Sequence, residues 1–460
     1  MVHNAFFIFN SHNENILNSH NENTLNSHNR CIWVCHLISM DGYIPRIADA
    51  EIEWLLKMFG AIHIVGPKWC GKTTSAERFS RSSLLMQDLD KADTYLEIAR
   101  MKPSNFLEGE KPRLIDEWQV EPKFWDAVRF SVDRNQGRGM YILTGSVTPP
   151  EYEKRHTGTG RIVTVKMRTL SLFESGDSTG EVSIGSLFEG VSEVSGISGL
   201  DYTTMAELLV RGGWPSSIGS DTETASDIIM GYCEGMLDSE INLPEGRRRN
   251  KQRMRMILRS LARNTSMSIP NTTIMEDIGR SEQGGVSVNT LADYISALKD
   301  IHVVDDLAAW SPRLRSKAAI RTSDVRHFVD PAIAAYFLGA GPRDLEMDPR
   351  TYGSLFESLV VRDLRIYAQD LRGDVYHYRD GDGLEVDAVI HLKDGRWGAV
   401  EVKLGSYGVD AGATNLLRLA RKVDSEKMNP PSFLMVVTAV GYAYTREDGV
   451  HVVPLGCLRN

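Results

Sequence analysis

The chain has 460 residues, of which 42% are hydrophobic and 25% are charged, and these fractions exclude a wholly disordered protein. Its formal net charge of −9 excludes a globally basic nucleic-acid-binding protein, although a local basic patch remains compatible with it. At this length, two to four domains are expected. No apolar run is long enough for a membrane span and the first residues lack the basic start of a secretory signal, so we expect a cytoplasmic protein with no membrane partner.

The amino-terminal stretch repeats an eight-residue pattern, SHNENILN, SHNENTLN and SHNR, over residues 11–30. Because the repeat is rich in asparagine and poor in apolar residues, it predicts a disordered extension over residues 1–39. The cysteines are scattered, which is typical of a reducing compartment. Cys31 and Cys35 have the spacing of zinc ligands, but no second ligand pair follows them.

Residues 40–200 predict the first folded domain, in which strands and helices alternate as in a doubly wound α/β fold. A short apolar strand, AIHIV, leads into GPKWCGKT at residues 66–73, which fits G-x-x-x-x-G-K-[ST]. Glycines at both ends let the backbone curl around phosphate oxygens, and the helix that follows favours an anion at its amino terminus. The alternative is an accidental match in a glycine-rich turn. The residues expected to bind ATP are Gly66, Pro67, Lys68, Trp69, Cys70, Gly71, Lys72, Thr73 and Thr74.

Acidic and hydroxyl side chains at the ends of two further strands complete the predicted ATP site. Lys72 would neutralise the β- and γ-phosphates, while the Thr73 hydroxyl and the Asp116 carboxylate would bind Mg²⁺. Glu117, beside Asp116 in the sequence LIDE, would polarise the attacking water. The strand YILTGS ends in hydroxyl residues, of which Ser146 or Thr144 would sense the γ-phosphate or simply cap the next segment.

Several short motifs together resemble a family. LIDEW, ILTGS, GTGR at residues 158–161 and MRTLSLFE at residues 167–174 are similar to prokaryotic AAA-superfamily ATPases that carry an uncharacterised carboxyl-terminal domain. The resemblance implies an AAA-type core, ATP hydrolysis and assembly into a homo-oligomer. In that family the arginine matching Arg161 is a candidate arginine finger, and a surface ion pair is the alternative role for it. The glycine- and serine-rich stretch over residues 174–199 predicts a loop or linker.

Residues 201–341 predict a helical lid and a winged-helix-like domain. The sequence RGGWP after Arg211 predicts a helix stop and a new start, and Arg211 would either shape this turn or reach the nucleotide. Three apolar-periodic helices and two extended segments then follow the order of a winged helix, so DNA is an expected partner through Asn289, Thr290 and Tyr294. Protein interaction is the alternative. A basic tract over residues 245–263 supplies a local positive field or merely a solvated face through Arg247, Arg248, Arg249, Lys251, Arg253, Arg255, Arg259 and Arg263.

Residues 342–460 predict a restriction-endonuclease-like α/β domain. Asp387 lies on one strand of a probable hairpin, and Glu401 and Lys403 lie on the next, where alternation puts both on one face. This order resembles PD-(D/E)xK nucleases, in which the Asp and Glu bind Mg²⁺ and the Lys steers water. Glu357 matches a further acidic residue that some of these nucleases have. The alternative is an inactive relative in which Glu385 or Lys403 only pairs with neighbours across the sheet.

The sequence therefore predicts a multidomain α/β protein that couples hydrolysis of Mg-ATP to action on DNA. The alternatives are an ATP-dependent protein-interaction switch or scaffold without nuclease activity, and a nucleotide sensor with negligible turnover.

Overall fold

The computed structural model describes residues 42–88, 92–145, 158–240, 250–279, 287–312, 323–423 and 428–460. The amino-terminal repeat, the Cys31–Cys35 pair, Ser146 and the arginines at 247–249 lie outside the described residues. Within these ranges no helix is both long and apolar enough to cross a bilayer.

The first part of the chain forms a five-stranded parallel sheet, as the alternating strand and helix pattern predicts. Its strand order is β2-β3-β4-β1-β5, and β1 and β4 are buried along their whole length, as in a sheet with helices on both faces. Parallel pairing brings the carboxyl ends of β1, β3 and β4 to one edge. The elements are α1 Ala48–Met58, β1 Ala61–Val65, α2 Lys72–Phe79, β2 Ser82–Leu85, α3 Ala92–Met101, β3 Arg113–Asp116, α4 Lys123–Asn135, β4 Tyr141–Gly145 and β5 Ile162–Lys166.

The glycine- and serine-rich stretch over residues 174–199 is not the loop that its composition predicts. It contains β6 Val182–Ser183, α5 Ile184–Phe188 and β7 Gly196–Ile197. The apolar residues among the glycines and serines explain this result, because Val182, Ile184, Leu187 and Phe188 are all buried. Both short strands pair with strands from the carboxyl-terminal end of the chain.

The middle of the chain is helical. Polar side chains cap several helix starts, as Asp201, Asp221, Asn250 and Ser287 each accept a bond from a backbone N–H in the first turn. After the fifth of these helices, antiparallel bridges join Val304 to Phe328 and Leu307 to Val325. The helices are α6 Tyr202–Arg211, α7 Thr222–Gly235, α8 Lys251–Arg263, α9 Asn271–Gly279, α10 Val288–Asp300, α11 Pro331–Leu338 and α12 Pro342–Met347.

The last part forms a seven-stranded mixed sheet between two helices. The strand order is β7-β12-β13-β11-β10-β9-β8, with β8, β9 and β10 antiparallel and β10, β11 and β13 parallel. Neighbouring residues of β10 face opposite sides, since Val400 packs in the core with α13 and Ala399 in the core with α14. The elements are α13 Pro349–Asp370, β8 Gly373–Arg379, β9 Glu385–Leu392, β10 Trp397–Lys403, α14 Val409–Lys422, β11 Phe433–Thr438, β12 Tyr442–Thr445, β13 His451–Pro454 and β14 Leu458–Arg459.

A buried carboxylate joins three parts of the chain. Asp305, which follows α10, accepts from Lys166 at 2.7 Å and from Arg168 at 2.8 Å, both at the carboxyl end of β5, and lies 3.1 Å from Arg365 of α13. Burial opposes ionisation of Asp305, but the three cations hold its pKa well below the usual range. The carboxyl end of the first sheet is therefore tied to the long helix of the last domain.

Candidate functional site

The loop over residues 66–71 has the geometry that its glycines predict. It leaves β1 at the carboxyl edge of the sheet and ends where α2 begins at Lys72. Gly66 has φ +155°, and a Cβ there would lie 2.2 Å from the Met167 carbonyl oxygen. Gly71 has φ +97°, which other residues rarely adopt. Neither position accepts a side chain without moving the backbone, so the loop shape depends on both glycines.

Lys72 reaches back across this loop. Its buried Nζ donates to the Gly66 carbonyl at 3.0 Å and to the Pro67 carbonyl at 2.9 Å. The ammonium group therefore lies directly over the loop that would enclose phosphate, where a positive charge offsets the charge of phosphate oxygens.

Three side chains meet at the edge of the sheet beside α2. The Thr73 hydroxyl donates to Asp116 Oδ1 at 2.8 Å, and the Thr144 hydroxyl donates to the same oxygen. The Thr73 hydroxyl and the Asp116 carboxylate are the hard oxygen ligands that Mg²⁺ prefers, and they are already adjacent. The residues present therefore fit the metal that a P-loop nucleotide brings.

Glu117 follows Asp116 with its backbone in the left-handed region, at φ +53°. Its side chain accepts a hydrogen bond from the Gln119 amide. Burial raises the pKa of the Glu117 carboxyl, and the bond from Gln119 opposes that rise. A half-buried carboxylate of this kind beside the Mg²⁺ ligands can accept a proton from an attacking water.

Two residues that the sequence motifs do not indicate contact the P-loop backbone. Buried Arg46 donates from Nη1 to the Cys70 carbonyl at 2.7 Å, and buried Trp214 donates from Nε1 to the Lys68 carbonyl at 3.2 Å. Neither residue belongs to a recognised nucleotide-binding motif. The one available signal was an arginine in otherwise apolar surroundings ahead of α1, in the sequence YIPRIA.

Arg161 lies at the opposite edge of the sheet from the P-loop. It immediately precedes β5, which runs parallel to β1 with Ile162 beside Ala61, whereas the P-loop follows the carboxyl end of β1. Its side chain is 47% exposed and pairs with Asp133 of α4 at 2.6 Å. An arginine in this position cannot reach the nucleotide of its own chain. Arg211, by contrast, pairs with Asp177 at 2.5 Å, which supports its structural role in the turn.

The predicted DNA-contacting residues are only partly where the sequence places them. Asn289 is exposed at the start of α10, but Tyr294 is buried, and its hydroxyl accepts from the Asn250 backbone N–H at 3.1 Å. The prediction that Tyr294 faces DNA is therefore wrong, because its ring completes the apolar face of α10. In the described part of the basic tract, three cations pair with carboxylates: Lys251 with Asp238, Arg255 with Glu234, and Arg263 with Asp277.

The carboxyl-terminal cluster comes together as predicted. Lys403 Nζ lies 2.5 Å from Glu401 Oε2 and 3.6 Å from Asp387 Oδ2, so the two carboxylates share one ammonium group. Burial and the charge of Asp387 raise the pKa of Glu401. Burial and the same charge raise the pKa of Glu357 on α13 well above its usual range. Glu385 points away from this group and pairs with Arg379 across the sheet at 2.9 Å.

The cluster does not present a complete set of metal ligands. Across the described ranges, no group of three or more His, Cys, Asp or Glu side chains is arranged to hold a metal ion. Lys403 occupies the position between Asp387 and Glu401 that a shared cation would need. Metal binding there would require the Lys403 ammonium group to move away.

Residues 59–175 match a family model described as an AAA domain. Residues 202–344 and 352–458 match two models described as domains of unknown function, DUF8612 and DUF4143. No curated protein matches the chain. The first of these matches, together with the P-loop geometry, identifies an AAA-type P-loop domain and supports ATP binding.

Three solved structures have partial similarity to the chain. A Walker-type ATPase of Pyrococcus abyssi is 15% identical, with a TM-score of 0.38 over 65% of this chain and 97% of that one. The replication initiator DnaA bound to AMPPCP and single-stranded DNA is 14% identical, with a TM-score of 0.25 over 58% and 93%. Drosophila ORC bound to DNA is 12% identical, with a TM-score of 0.22 over 66% and 96%. None of these likenesses is close enough to transfer a function.

Proposed function

We propose that the AAA-type P-loop domain binds Mg-ATP and hydrolyses it, and that hydrolysis drives an action of the rest of the chain on DNA. The observation that carries the ATPase proposal is the meeting of Thr73, Thr144 and Asp116 beside the P-loop, with Glu117 next in the chain. A loop that bound phosphate for structural reasons alone would need no such paired carboxylates.

Each residue of the site has a distinct role in this proposal. Thr73 and Asp116 would hold Mg²⁺, which offsets the charge of the β- and γ-phosphates. Lys72 binds the same phosphates through its ammonium group. Glu117 accepts the proton of the attacking water, and Thr144 fixes the Asp116 carboxylate through its hydrogen bond. Ser146, in the residues that follow β4, is retained as a γ-phosphate contact.

A second copy of the chain completes the site in this proposal. Because Arg161 lies at the far edge of its own sheet, its guanidinium can stabilise a transferring phosphoryl group only in a neighbouring subunit. Asp133 would then release Arg161 when the neighbour binds ATP. The protein is accordingly proposed to act as a homo-oligomer.

The action on DNA is supported by the middle and carboxyl-terminal domains. Helices α8, α9 and α10 followed by the two antiparallel bridges have the order of a winged helix. Helix α13, strands β8 to β10, helix α14 and strand β11 have the order of a PD-(D/E)xK nuclease core. Asp387, Glu401 and Lys403 meet within it, as such a site needs. If the cluster cuts DNA, Mg²⁺ or Mn²⁺ should stabilise the domain, and Asp387→Ala should remove that stabilisation.

An ATP-dependent protein-interaction switch without nuclease activity is the second candidate. The observation in its favour is that Lys251, Arg255 and Arg263 already pair with carboxylates of the same domain. Cations paired in this way have less charge to offer to DNA phosphates. Burial of Tyr294 removes a further predicted DNA contact.

ATP hydrolysis measured with no DNA and with single-stranded, duplex or branched DNA tests the proposal. Stimulation by at least one form is expected. Replacing Arg247, Arg248 and Arg249 together by Ser should then flatten the salt dependence of DNA binding by roughly 0.9 in slope per lost phosphate contact. Lys251→Ser, which removes a cation already paired with Asp238, is the matched control. ATP turnover that no DNA changes, together with absent DNA binding, would favour the interaction switch.

A further inference from the structure

The carbonyl groups of the P-loop are held by donors from outside the loop. Arg46 donates to the carbonyl of Cys70, and Trp214 donates to the carbonyl of Lys68. In a trans peptide the carbonyl of one residue and the N–H of the next point in opposite directions. Fixing these two carbonyls therefore turns the N–H groups of Trp69 and Gly71 away from the two donors.

Both donors approach the loop from the same side. Arg46 also donates to the carbonyl of Arg168 at 2.8 Å, and the residue before Trp214, Gly213, accepts a backbone bond from Leu170 at 2.7 Å. The segment over residues 168–170 thus supports both donors. The opposite side of the loop is left with amide groups pointing outward, which is the arrangement that binds phosphate.

Each donor is itself held by buried groups. Arg46 Nε pairs with Glu174 at 3.1 Å, and Glu174 also accepts from the Ile47 and Ser171 backbone N–H groups, each at 2.8 Å. Trp214 is fully buried in the turn after α6. Its neighbour Gly213 donates to Asp330 at 3.0 Å, and Asp330 in turn accepts from Arg362 of α13 at 2.8 Å.

We propose that Arg46 and Trp214 are positioning residues that hold the P-loop in its phosphate-binding conformation before ATP arrives, and that they thereby set the affinity for ATP. This inference rests on the proposed ATP-binding function. A preformed site binds more tightly because less ordering is left to do on binding. Since Trp214 belongs to the helical domain and is anchored through Asp330 to α13, the affinity for ATP depends on how these later domains pack against the P-loop.

Two conservative variants test the inference in the full chain. Arg46→Lys keeps the charge but loses the planar set of donors, and Trp214→Phe keeps the ring but loses the N–H. The matched controls are Arg211→Lys, which alters another partly buried ion pair, and Trp397→Phe, which removes a buried indole N–H that donates to Asn429 at 2.7 Å. Neither control residue contacts the P-loop. Lys72→Ala serves as the reference for lost ATP binding.

The measurements are the Kd of Mg-ATP, the KM and kcat of hydrolysis, and the melting temperature without nucleotide. We expect Arg46→Lys to raise Kd and KM about tenfold and Trp214→Phe about fivefold, as loss of hydrogen bonds to carbonyls predicts. Because a positioning role acts on binding before the transition state, kcat should stay within about twofold of the wild-type value. The two controls should lower the melting temperature comparably while leaving Kd unchanged.

A wild-type Kd in both Arg46→Lys and Trp214→Phe would overturn the inference, as would an equal rise of Kd in the controls. If Arg46→Lys does not fold, Trp214→Phe decides the question, since it removes a single donor. A wild-type chain that binds no ATP would end the proposed function and this inference together. Normal binding by the wild type, lost in Lys72→Ala, would keep the function whatever the positioning variants show.

Discussion

Glu117 has the position and surroundings of a general base. It lies beside the Mg²⁺ ligand Asp116, and its side chain is oriented by Gln119. Glu117→Gln keeps the shape but cannot accept a proton, so hydrolysis should fall at least about 100-fold while the Kd of Mg-ATP stays within about twofold. Phosphate release and binding of a fluorescent ATP analogue measure the two effects. Glu97→Gln, on an exposed carboxylate of α3, is the control, and turnover retained in Glu117→Gln would remove this role.

His327 should contribute to the acid sensitivity of the fold. Burial, with the charge of Arg365, lowers its pKa to about 3. In the unfolded chain the same imidazole binds a proton near pH 6.5, so between pH 6.5 and about 3 the unfolded state binds more protons and stability falls as the pH falls. In His327→Gln the loss of unfolding free energy between pH 7 and pH 5 should shrink by up to about 2 kcal/mol. Denaturant unfolding at both pH values measures it, and an unchanged loss would contradict the argument.

Residue roles could be predicted from the sequence where neighbours in the chain carry them. Lys72, Thr73, Asp116 and Glu117 were found because the P-loop and the acidic strand end are local patterns. Arg46 and Trp214 were missed because their contacts with the P-loop span 24 and 146 positions, and no spacing rule connects them. Distant hydrogen bonds of this kind emerge only when the chain is folded.

Helix α13 has an ion pair at its centre that should be costly to break. Arg362 is buried with Asp330 and Asp363, each 2.8 Å from its guanidinium. Arg362→Met fills the space but leaves two buried carboxylates without their cation, which should lower the free energy of unfolding by about 3–5 kcal/mol. Arg350→Met, at the exposed start of the same helix, is the control. Chemical denaturation measures both, and a loss no larger than that of the control would show that the pair is dispensable.

The elements were predictable where one period dominated the sequence. The apolar strands β1, β3 and β4 and the helix α4 follow from short runs with a single pattern. The stretch over residues 174–199 did not, because glycine and serine mask the buried positions of β6, α5 and β7. On α10 the periodicity was correct, but Tyr294 was assigned to the exposed face although it completes the buried one.

The whole molecule should be active only as an assembly, because Arg161 cannot reach the nucleotide of its own chain. The hydrolysis rate per chain should therefore rise steeply with protein concentration, as the sites become complete. Arg161→Ala should bind ATP without hydrolysing it, and mixing it with Lys72→Ala should restore part of the activity, because a Lys72→Ala subunit supplies the missing arginine. Phosphate release measured over a dilution series tests this account. A constant rate from a chain shown to be monomeric would exclude it.

At the scale of the whole chain, the order of the parts was predictable and their interleaving was not. The expectation of a P-loop domain, a helical middle and a mixed carboxyl-terminal sheet follows from local patterns. That β7 joins the last sheet through β12, and that Asp305 links β5 to α13, depends on partners far away in the chain. Such pairings are decided by the packing of the whole molecule.

Calorimetric titration of the full chain with Mg-ATP, for the wild type and for Lys72→Ala, tests the central claim that residues 66–73 bind the nucleotide. The account predicts saturable binding by the wild type and a loss of at least about 100-fold in affinity for Lys72→Ala, because charge-assisted bonds to phosphate are lost. The two proteins should melt at similar temperatures without nucleotide. Equal affinity in wild type and Lys72→Ala would contradict the account.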